Sequence, residues 1–255
     1  MTAAGVLRAE WTKFATIRST TVLAAAIVAI STMFGWLFGT ASANQYAAAS
    51  AQDRLDFDPM SPATRGLFIV QLLVAGLGAL VASSEYGSGT IRASAAAVGR
   101  RRLLTAKTGM TLLAALPVSV AAVWLMVLTC MATLSARGAP AVWFGDAAVV
   151  RVLTLRPLVL TLLALFGLAL GFLMRATAAA VNVSTAFLLI PIFAGSSPGW
   201  LRELLGIYWP NVAAFSAASG QADAGLPPWA GFGILVGFTA VMLGVAFVKF
   251  ESRDL

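Results

Sequence analysis

The chain has 255 residues, of which 60% are hydrophobic and 11% are charged, and its formal net charge is +7. A soluble domain carries about 25% charged residues, so this composition excludes a soluble globular fold for the chain. It contains no histidine and one cysteine, Cys130, which excludes an intrachain disulfide and a Cys/His metal site. In a soluble protein the positive charge would suggest nucleic acid, but here we expect a membrane and no nucleic acid.

Six apolar runs follow one another along the chain. They cover residues 21–38, 64–83, 108–134, 153–174, 178–194 and 229–248. Each is about long enough to cross the roughly 30 Å hydrocarbon core of a bilayer as a helix. The sequence therefore predicts an all-α polytopic membrane protein, with residues 1–255 in a single transmembrane domain. The first run is longer than the apolar core of a signal peptide, so we expect it to be a retained span.

Positive charges are predicted to gather on one side of these spans. That side carries Arg8, Lys13, Arg18, Arg92, Arg100, Arg101, Arg102, Lys107, Arg175, Lys249 and Arg253. The other side carries Arg54, Arg65, Arg137, Arg151, Arg156 and Arg202. By the positive-inside rule the first side is cytoplasmic. The prediction is a multi-pass plasma-membrane protein with both termini in the cytoplasm.

Residues 3–18 are predicted to form a helix that lies along the membrane surface. Apolar side chains recur at helical spacing at Leu7, Trp11, Phe14 and Ile17. Arg8 and Lys13 flank this face and can reach lipid phosphates, as in other interfacial helices. Glu10 falls inside the apolar arc. Because it stands three residues before Lys13, we expect the two to form an ion pair.

The segment 84–107 is predicted to carry a short basic helix between the second and third spans. Thr90 suits the N-cap of this helix, and Gly99 suits the residue after its end. The arginines at 100–102 then stand at the membrane edge. Such an element can transmit motion from a soluble partner to the spans. The alternative is an ordinary basic loop that only fixes the topology.

The sequence offers no catalytic motif. It lacks the G-x-x-x-x-G-K-[ST] phosphate loop and the histidine that most nucleophilic triads need. No ionisable residue is expected deep in a span, because Glu85 stands at a boundary and Arg156 opens the fourth span. This argues against a carrier coupled to protons or sodium. The acidic residues at 53, 56 and 58 match no calcium loop, so no metal site is predicted.

Polar residues also occur within the fifth apolar run, at Asn182, Ser184 and Thr185. Asn182 is the most polar residue in the middle of any span. It can form a hydrogen bond to a neighbouring helix, or it can line a pathway together with Ser184 and Thr185. The sequence leaves both interpretations open.

The chain resembles the permease subunits of ABC-2 type ABC transporters. The stretch from Leu7 to Lys13, with Arg18, is similar to the interfacial helix of that family; it includes Glu10, Trp11 and Lys13. The order Glu85-Tyr86, then Gly89-Thr90-Ile91-Arg92, resembles the family's coupling segment. The stretch around Trp209-Pro210-Asn211 and the ending with Arg253-Asp254 are also similar. Gly87 departs from the family pattern, where a bulkier or basic residue is common.

This resemblance implies the transmembrane half of an ATP-driven exporter. Two permease chains, identical or related, would work with two ATPase subunits that bind ATP and Mg²⁺, and this chain would bind no cofactor itself. Glu85 and Arg92 would make polar contacts to the ATPase, and Ile91 would be an apolar anchor. Gly89 would form the turn before the coupling helix, and Thr90 would cap that helix. Spans two and five would line the pathway, and the apolar interior favours a hydrophobic or amphiphilic cargo. The alternatives are a non-transporting membrane sensor or assembly factor, and an intramembrane enzyme.

Overall fold

The computed structural model describes residues 3–87, 89–142, 144–219 and 226–252. All regular structure in these residues is helical. The α-helices are α1 (Ala3–Thr16), α2 (Arg18–Ala48), α3 (Ala51–Leu55), α4 (Met60–Arg65), α5 (Leu67–Gly87), α6 (Thr90–Val98), α7 (Arg100–Ala136), α8 (Ala147–Met174), α9 (Thr177–Leu189), α10 (Gly199–Glu203), α11 (Pro210–Ser219) and α12 (Pro228–Ser252). A 3-10 helix, Ile190–Ser196, extends α9, and a π-helical turn, Leu204–Tyr208, follows α10.

Six helical stretches within the described residues are long and apolar enough to cross a membrane. They are Arg18–Ala48, Met60–Gly87, Arg100–Ala136, Val149–Met174, Thr177–Ser196 and Trp229–Ser252. The helical structure and the six candidate spans confirm the prediction of an all-α polytopic membrane protein. Several helices outrun the apolar segments: α7 has 37 residues, or about 55 Å at 1.5 Å per residue. The ends of α7 therefore stand outside the hydrocarbon core.

Helices α5 and α8 pack against each other at the centre of the bundle. In their most apolar windows 72% and 78% of the residues are buried. Small residues bring the two backbones together, since a Cβ added at Gly78 would overlap the carbonyl oxygen of Ala164, and one at Gly167 would overlap that of Ala75. Membrane helices associate through such close packing, because lipid gives them little hydrophobic drive to pair.

Helices α2 and α7 form a second close pair. A Cβ at Gly35 would overlap the carbonyl oxygen of Met126, and one at Gly39 would lie 3.0 Å from that of Cys130. Cys130 is fully buried in this contact and forms part of the apolar core. The four-residue spacing of these glycines places both on the face of α2 that meets α7.

Polar contacts gather the chain ends and two connections at one end of the bundle. The guanidinium of Arg100 donates to the backbone carbonyl of Glu251 (2.6 Å), and that of Arg175 lies 5.9 Å from the ring centroid of Tyr86. We call this the basic end; it comprises α1, α6, the first turn of α7, the α8–α9 connection and the last turn of α12. The residues Arg253-Asp254 lie outside the described residues.

The opposite, distal end contains more helix than the sequence predicts. The connection between the first two apolar runs contains the last turns of α2, helix α3 and the start of α4. Trp209 is extended, and Pro210 opens a further helix, α11, as proline does at a first helical position. Five residues of α11 are buried, so this helix belongs to the bundle interior.

Candidate functional site

A glycine with positive φ stands at each end of helix α6. Gly89 has φ 70° and precedes the helix, and Gly99 has φ 87° and follows it. Other residues rarely adopt such angles, so these two positions fix α6 at both ends. Gly89 makes the predicted turn. The N-cap position belongs to Gly89 and Thr90 is the first helical residue, so the prediction that Thr90 is the N-cap is wrong.

Helix α6 has one buried and one exposed face. Ile91 and Ala95 are 4% and 7% exposed, and they belong to an apolar cluster with Leu103, Phe172 and Phe250 of α7, α8 and α12. The opposite face is exposed and consists of Arg92, Ala93, Ala96 and Ala97. Ile91 is therefore an anchor to the chain's own bundle, while the face with Arg92 is open to a partner.

Tyr86 connects the end of α5 to the turn between α8 and α9. Its ring meets that of Phe172 edge-on, with centroids 6.4 Å apart, and the Arg175 guanidinium lies over it. Nearby, the hydroxyl groups of Ser83 and Thr177 are 2.8 Å apart. These contacts place Tyr86 inside the basic end, against the end of α8 and the α8–α9 connection.

Four charged side chains meet beneath α6 in what we call the charged cluster: Glu10, Lys13, Glu85 and Lys107. The Lys13 ammonium lies 2.9 Å from Glu10 Oε1 and 2.8 Å from Glu85 Oε1. The Lys107 ammonium lies 2.8 Å from Glu10 Oε2 and 3.0 Å from Glu85 Oε1. Two cations and two anions thus alternate, and the cluster is neutral. It joins α1, α5 and α7.

The cluster is largely withdrawn from water. Glu10 and Glu85 are each 5% exposed and Lys107 is 2% exposed. Burial alone would raise the pKa of Glu10, but the charges and hydrogen bonds of Lys107 and Lys13 outweigh it and hold that pKa below its usual value. Burial would likewise lower the pKa of Lys13, but hydrogen bonds to Glu85 and Glu10 raise it. Glu10 and Lys13 are therefore both held in their charged forms.

The cluster confirms the predicted pair of Glu10 and Lys13, and it gives Lys13 and Glu85 surroundings that the sequence did not predict. Lys13 was expected to reach lipid phosphates, yet its ammonium is engaged by two carboxylates and donates to Ser94 Oγ of α6 (3.3 Å). Glu85 lies inside the bundle and away from its outward surface. Trp11 is 49% exposed, and Arg18 is exposed at the first residue of α2, so both remain available to a surface.

Sequence reasoning missed Lys107 as the fourth member of the cluster. It was counted only as a basic residue that sets the topology. The available signal was Glu10, a carboxylate within an apolar arc, because a buried carboxylate needs a cation near it. The distance of 97 residues between Glu10 and Lys107 hid the pairing.

A second polar site lies at the distal end, around Arg156. Helix α8 begins at Ala147, so Arg156 lies more than two turns inside the helix, and it is 8% exposed. The expectation that Arg156 opens the fourth span is therefore wrong, because the helix begins nine residues earlier. Arginine inside a span costs about 2.5–3.5 kcal/mol on insertion scales. Its cation–π contact with Phe215, at 5.1 Å, contributes about 0.5–2 kcal/mol.

Arg156 lies at a cavity of about 450 Å³, which we call the Arg156 cavity. It is lined by Thr64, Arg65, Leu67, Phe68, Gln71, Arg156, Leu188, Pro191, Ile192, Asn211, Val212, Phe215, Ser216 and Ser219. Asn211 Nδ2 donates to Gln71 Oε1 (3.2 Å), and both amides are 3% exposed. The cavity thus has a polar interior between α5, α8, α11 and the end of the fifth span.

The predicted pathway residues of the fifth span lie elsewhere. Asn182 is exposed on the surface of α9, and Thr185 is half-buried. Ser184 is fully buried, and its hydroxyl group donates to the backbone carbonyl of Val181 (2.9 Å). None of the three lines the Arg156 cavity.

Two acidic residues of the distal end form local hydrogen bonds. Asp58 Oδ1 accepts from the backbone N–H of Met60 (2.8 Å), and Asp53 Oδ2 accepts from the hydroxyl of Ser50 (2.7 Å). Within the described residues no three His, Cys, Asp or Glu side chains gather into a possible metal site.

No family model matches the chain, and no curated protein is significantly similar to it.

Proposed function

We propose that this chain is the membrane-spanning permease subunit of an ATP-driven exporter of the ABC-2 type. In this proposal α6 receives the motion of a separate ATPase subunit. The observation that carries the proposal is the two-faced packing of α6. Its inner face joins the cluster of Leu103, Phe172 and Phe250, while the face with Arg92 is exposed. A force applied to the outer face would therefore act on three spans.

The charged cluster supports this role because it ties α6 to more of the bundle. Lys13 hydrogen-bonds Ser94 of α6 and pairs with Glu85 of α5, while Glu10 pairs with Lys107 of α7. Buried ion pairs resist separation, since breaking one leaves a charge uncompensated. Helices α1, α5, α6 and α7 would thus move as one body at the basic end.

The roles of the other subunits follow from the sequence resemblance. ATP and Mg²⁺ would be bound by the ATPase subunits, and a second permease copy or a related chain would complete the pathway. The basic end would face the cytoplasm of a cell whose plasma membrane holds the chain, by the positive-inside rule. The interfacial helix α1 would then lie on the inner leaflet, with Trp11 and Arg18 toward lipid.

The test is recovery of the partner from native membranes. The tagged chain is purified in mild detergent, and its partners are identified by mass spectrometry. We expect a stoichiometric soluble protein with a phosphate-loop sequence. Arg92→Glu should abolish its recovery and its ATPase stimulation, because the reversed charge lies on the exposed face of α6. Arg102→Glu, also exposed at the basic end but on α7, is the matched control.

Two results would contradict the proposal. One is recovery of the chain without any ATPase after crosslinking, which would favour the non-transporting sensor or assembly factor. The other is full ATPase stimulation by the Arg92→Glu variant in a reconstituted complex. Before either variant is compared with the unmodified chain, it must show the same helical circular dichroism and elution volume.

A further inference from the structure

The Arg156 cavity holds a positive charge that the described side chains leave without a counter-charge. Arg156 forms no ion pair with any described residue, and its buried Nε has no hydrogen-bond partner among them. The Phe215 ring covers the guanidinium, but such a contact is weaker than pairing with an anion when both are withdrawn from water. The electrostatics of the cavity are those of an anion-binding site.

The remaining polar groups of the cavity agree with an anion. Its fourteen lining residues include two arginines and neither Asp nor Glu, so a cation would find no counter-charge. Asn211 is 3% exposed, and its Oδ1 is buried without a partner among the described residues. The oxygen and nitrogen of a side-chain amide can exchange places when the amide turns. If Gln71 and Asn211 turn together, Gln71 Nε2 donates to Asn211 Oδ1 and their contact is kept, and the N–H₂ group of Asn211 becomes a second donor for the cavity. Arg65 is exposed at the mouth.

The walls of the cavity indicate that the anion carries an apolar chain. Leu188 and Phe215 are apolar lining residues. Phe68 and Ile192 line the mouth and are 42% and 59% exposed. Both lie in stretches long and apolar enough to span a membrane, so this apolar part of the mouth is suited to contact with lipid chains. The volume, about 450 Å³, is that of an ordinary small-ligand pocket.

We propose that the Arg156 cavity binds the anionic head of an amphiphile, a phosphate or carboxylate group on an acyl chain. The head pairs with Arg156 and the amide of Asn211, and the chain leaves past Phe68 and Ile192 into the bilayer. This site needs no ATPase partner. The binding proposal can therefore be tested independently of the proposed function.

The experiment uses the purified full chain in dodecyl maltoside, a neutral detergent, and counts bound probes by native mass spectrometry. Dodecyl phosphate is the first probe, and inorganic phosphate tests whether the acyl chain matters. A second arm places the chain in nanodiscs with phosphatidylglycerol or phosphatidylcholine. Retention of phosphatidylglycerol identifies a bilayer lipid as the source of the ligand. Binding of dodecyl phosphate alone identifies a soluble amphiphile, and either result supports the site.

Variants of the cavity residues test whether dodecyl phosphate binds in the Arg156 cavity. Arg156→Gln should weaken the binding of dodecyl phosphate about tenfold or more, as expected for the loss of a charge-assisted contact. Arg151→Gln is the matched control, because Arg151 is exposed on the same helix and does not line the cavity. If Arg156→Gln fails to fold, Asn211→Asp serves instead, since it puts a carboxylate into the cavity. Equal binding by these cavity variants and the unmodified chain, or equal binding of inorganic and dodecyl phosphate, would overturn the proposal.

Discussion

At the scale of single residues, the two buried charged sites of this protein differ in kind. In the charged cluster each carboxylate meets two ammonium groups at 2.8–3.0 Å, so the charges balance within the chain. At Arg156 they do not balance within the described residues. A balanced buried cluster holds helices in one arrangement, while an unbalanced charge is suited to a ligand. The same residue types therefore have different roles at the two ends.

Removing one charge from the cluster should be costly. Glu10→Gln leaves two ammonium groups, one of them buried, with only Glu85 as a counter-charge. We expect it to lower the free energy of unfolding by roughly 3–5 kcal/mol, the range for breaking a buried pair. Unfolding by dodecyl sulfate in mixed micelles, followed by circular dichroism, measures this loss. Glu203→Gln, at an exposed position, is the control and should change little; equal stability of both variants would contradict the cluster's role.

The cluster also sets a direction for the dependence of stability on pH. The pKa of Glu10 is below its ordinary value of 4.5 in the folded chain. Its contribution is therefore present above pH 4.5 and is lost as pH falls through the folded pKa. The pKa of Lys13 is above 10.5, so its contribution is complete below that pH and is lost only in stronger alkali. Between these limits the contributions of Glu10 and Lys13 should not change with pH.

Thermal unfolding of the purified chain between pH 7 and pH 3 tests this dependence. The difference between the unmodified chain and Glu10→Gln isolates the one carboxylate from the others. We expect this difference to be constant down to about pH 4.5 and to shrink below it, as protonation removes the same charge that the substitution removes. A difference that grows on acidification would have the wrong sign and would contradict the pKa direction.

At the scale of elements, hydropathy located the helices but not their contacts. The six apolar runs predict six spans because a bilayer demands that length. The extra turns of α2 and the helix α11 were missed, since alanine, serine and asparagine give little hydropathy signal. The pairing of α5 with α8 rests on Gly78 and Gly167, whose packing role depends on the partner helix. Likewise Arg156 looked like a helix start because Pro157 follows it, and proline is also tolerated inside membrane helices.

The contact between α5 and α8 gives a matched pair of variants in one helix. A Cβ at Gly78 would overlap the backbone of Ala164, whereas a Cβ at Gly76 meets no atom within 4 Å. Gly78→Ala should therefore cost about 1–3 kcal/mol of unfolding free energy, as overpacking does. Gly76→Ala should be neutral or slightly stabilising, because alanine favours helix. Dodecyl sulfate unfolding compares them, and equal midpoints would show that α5 and α8 are less closely packed than described.

At the scale of the whole molecule, the contacts fix which connections share an end of the bundle. Arg100 reaches the backbone of Glu251, Arg175 covers Tyr86, and Lys13 reaches Ser94. These contacts support the grouping of the same connections on one side, which the alternation of spans predicts. Which membrane face this basic end occupies rests on charge alone, since the positive-inside rule uses the number of Lys and Arg residues on each side. That assignment is independent of the packing and needs its own measurement.

The single cysteine makes the orientation directly testable. Cys130 is fully buried, so in a Cys130→Ala background any labelling reports an introduced thiol. Ala93→Cys lies on the exposed face of α6 and Ser252→Cys at the exposed end of α12, both at the basic end; Gln52→Cys is exposed on α3 at the distal end. With a membrane-impermeant maleimide on intact cells, we expect only Gln52→Cys to react, and all three to react after permeabilisation. If only Ala93→Cys and Ser252→Cys are labelled, the fold is unchanged but its orientation in the membrane is the opposite of the one proposed. Helix α6 would then face away from any cytoplasmic ATPase. Opposite behaviour of those two thiols would instead contradict the packing of α6 and α12 at one end.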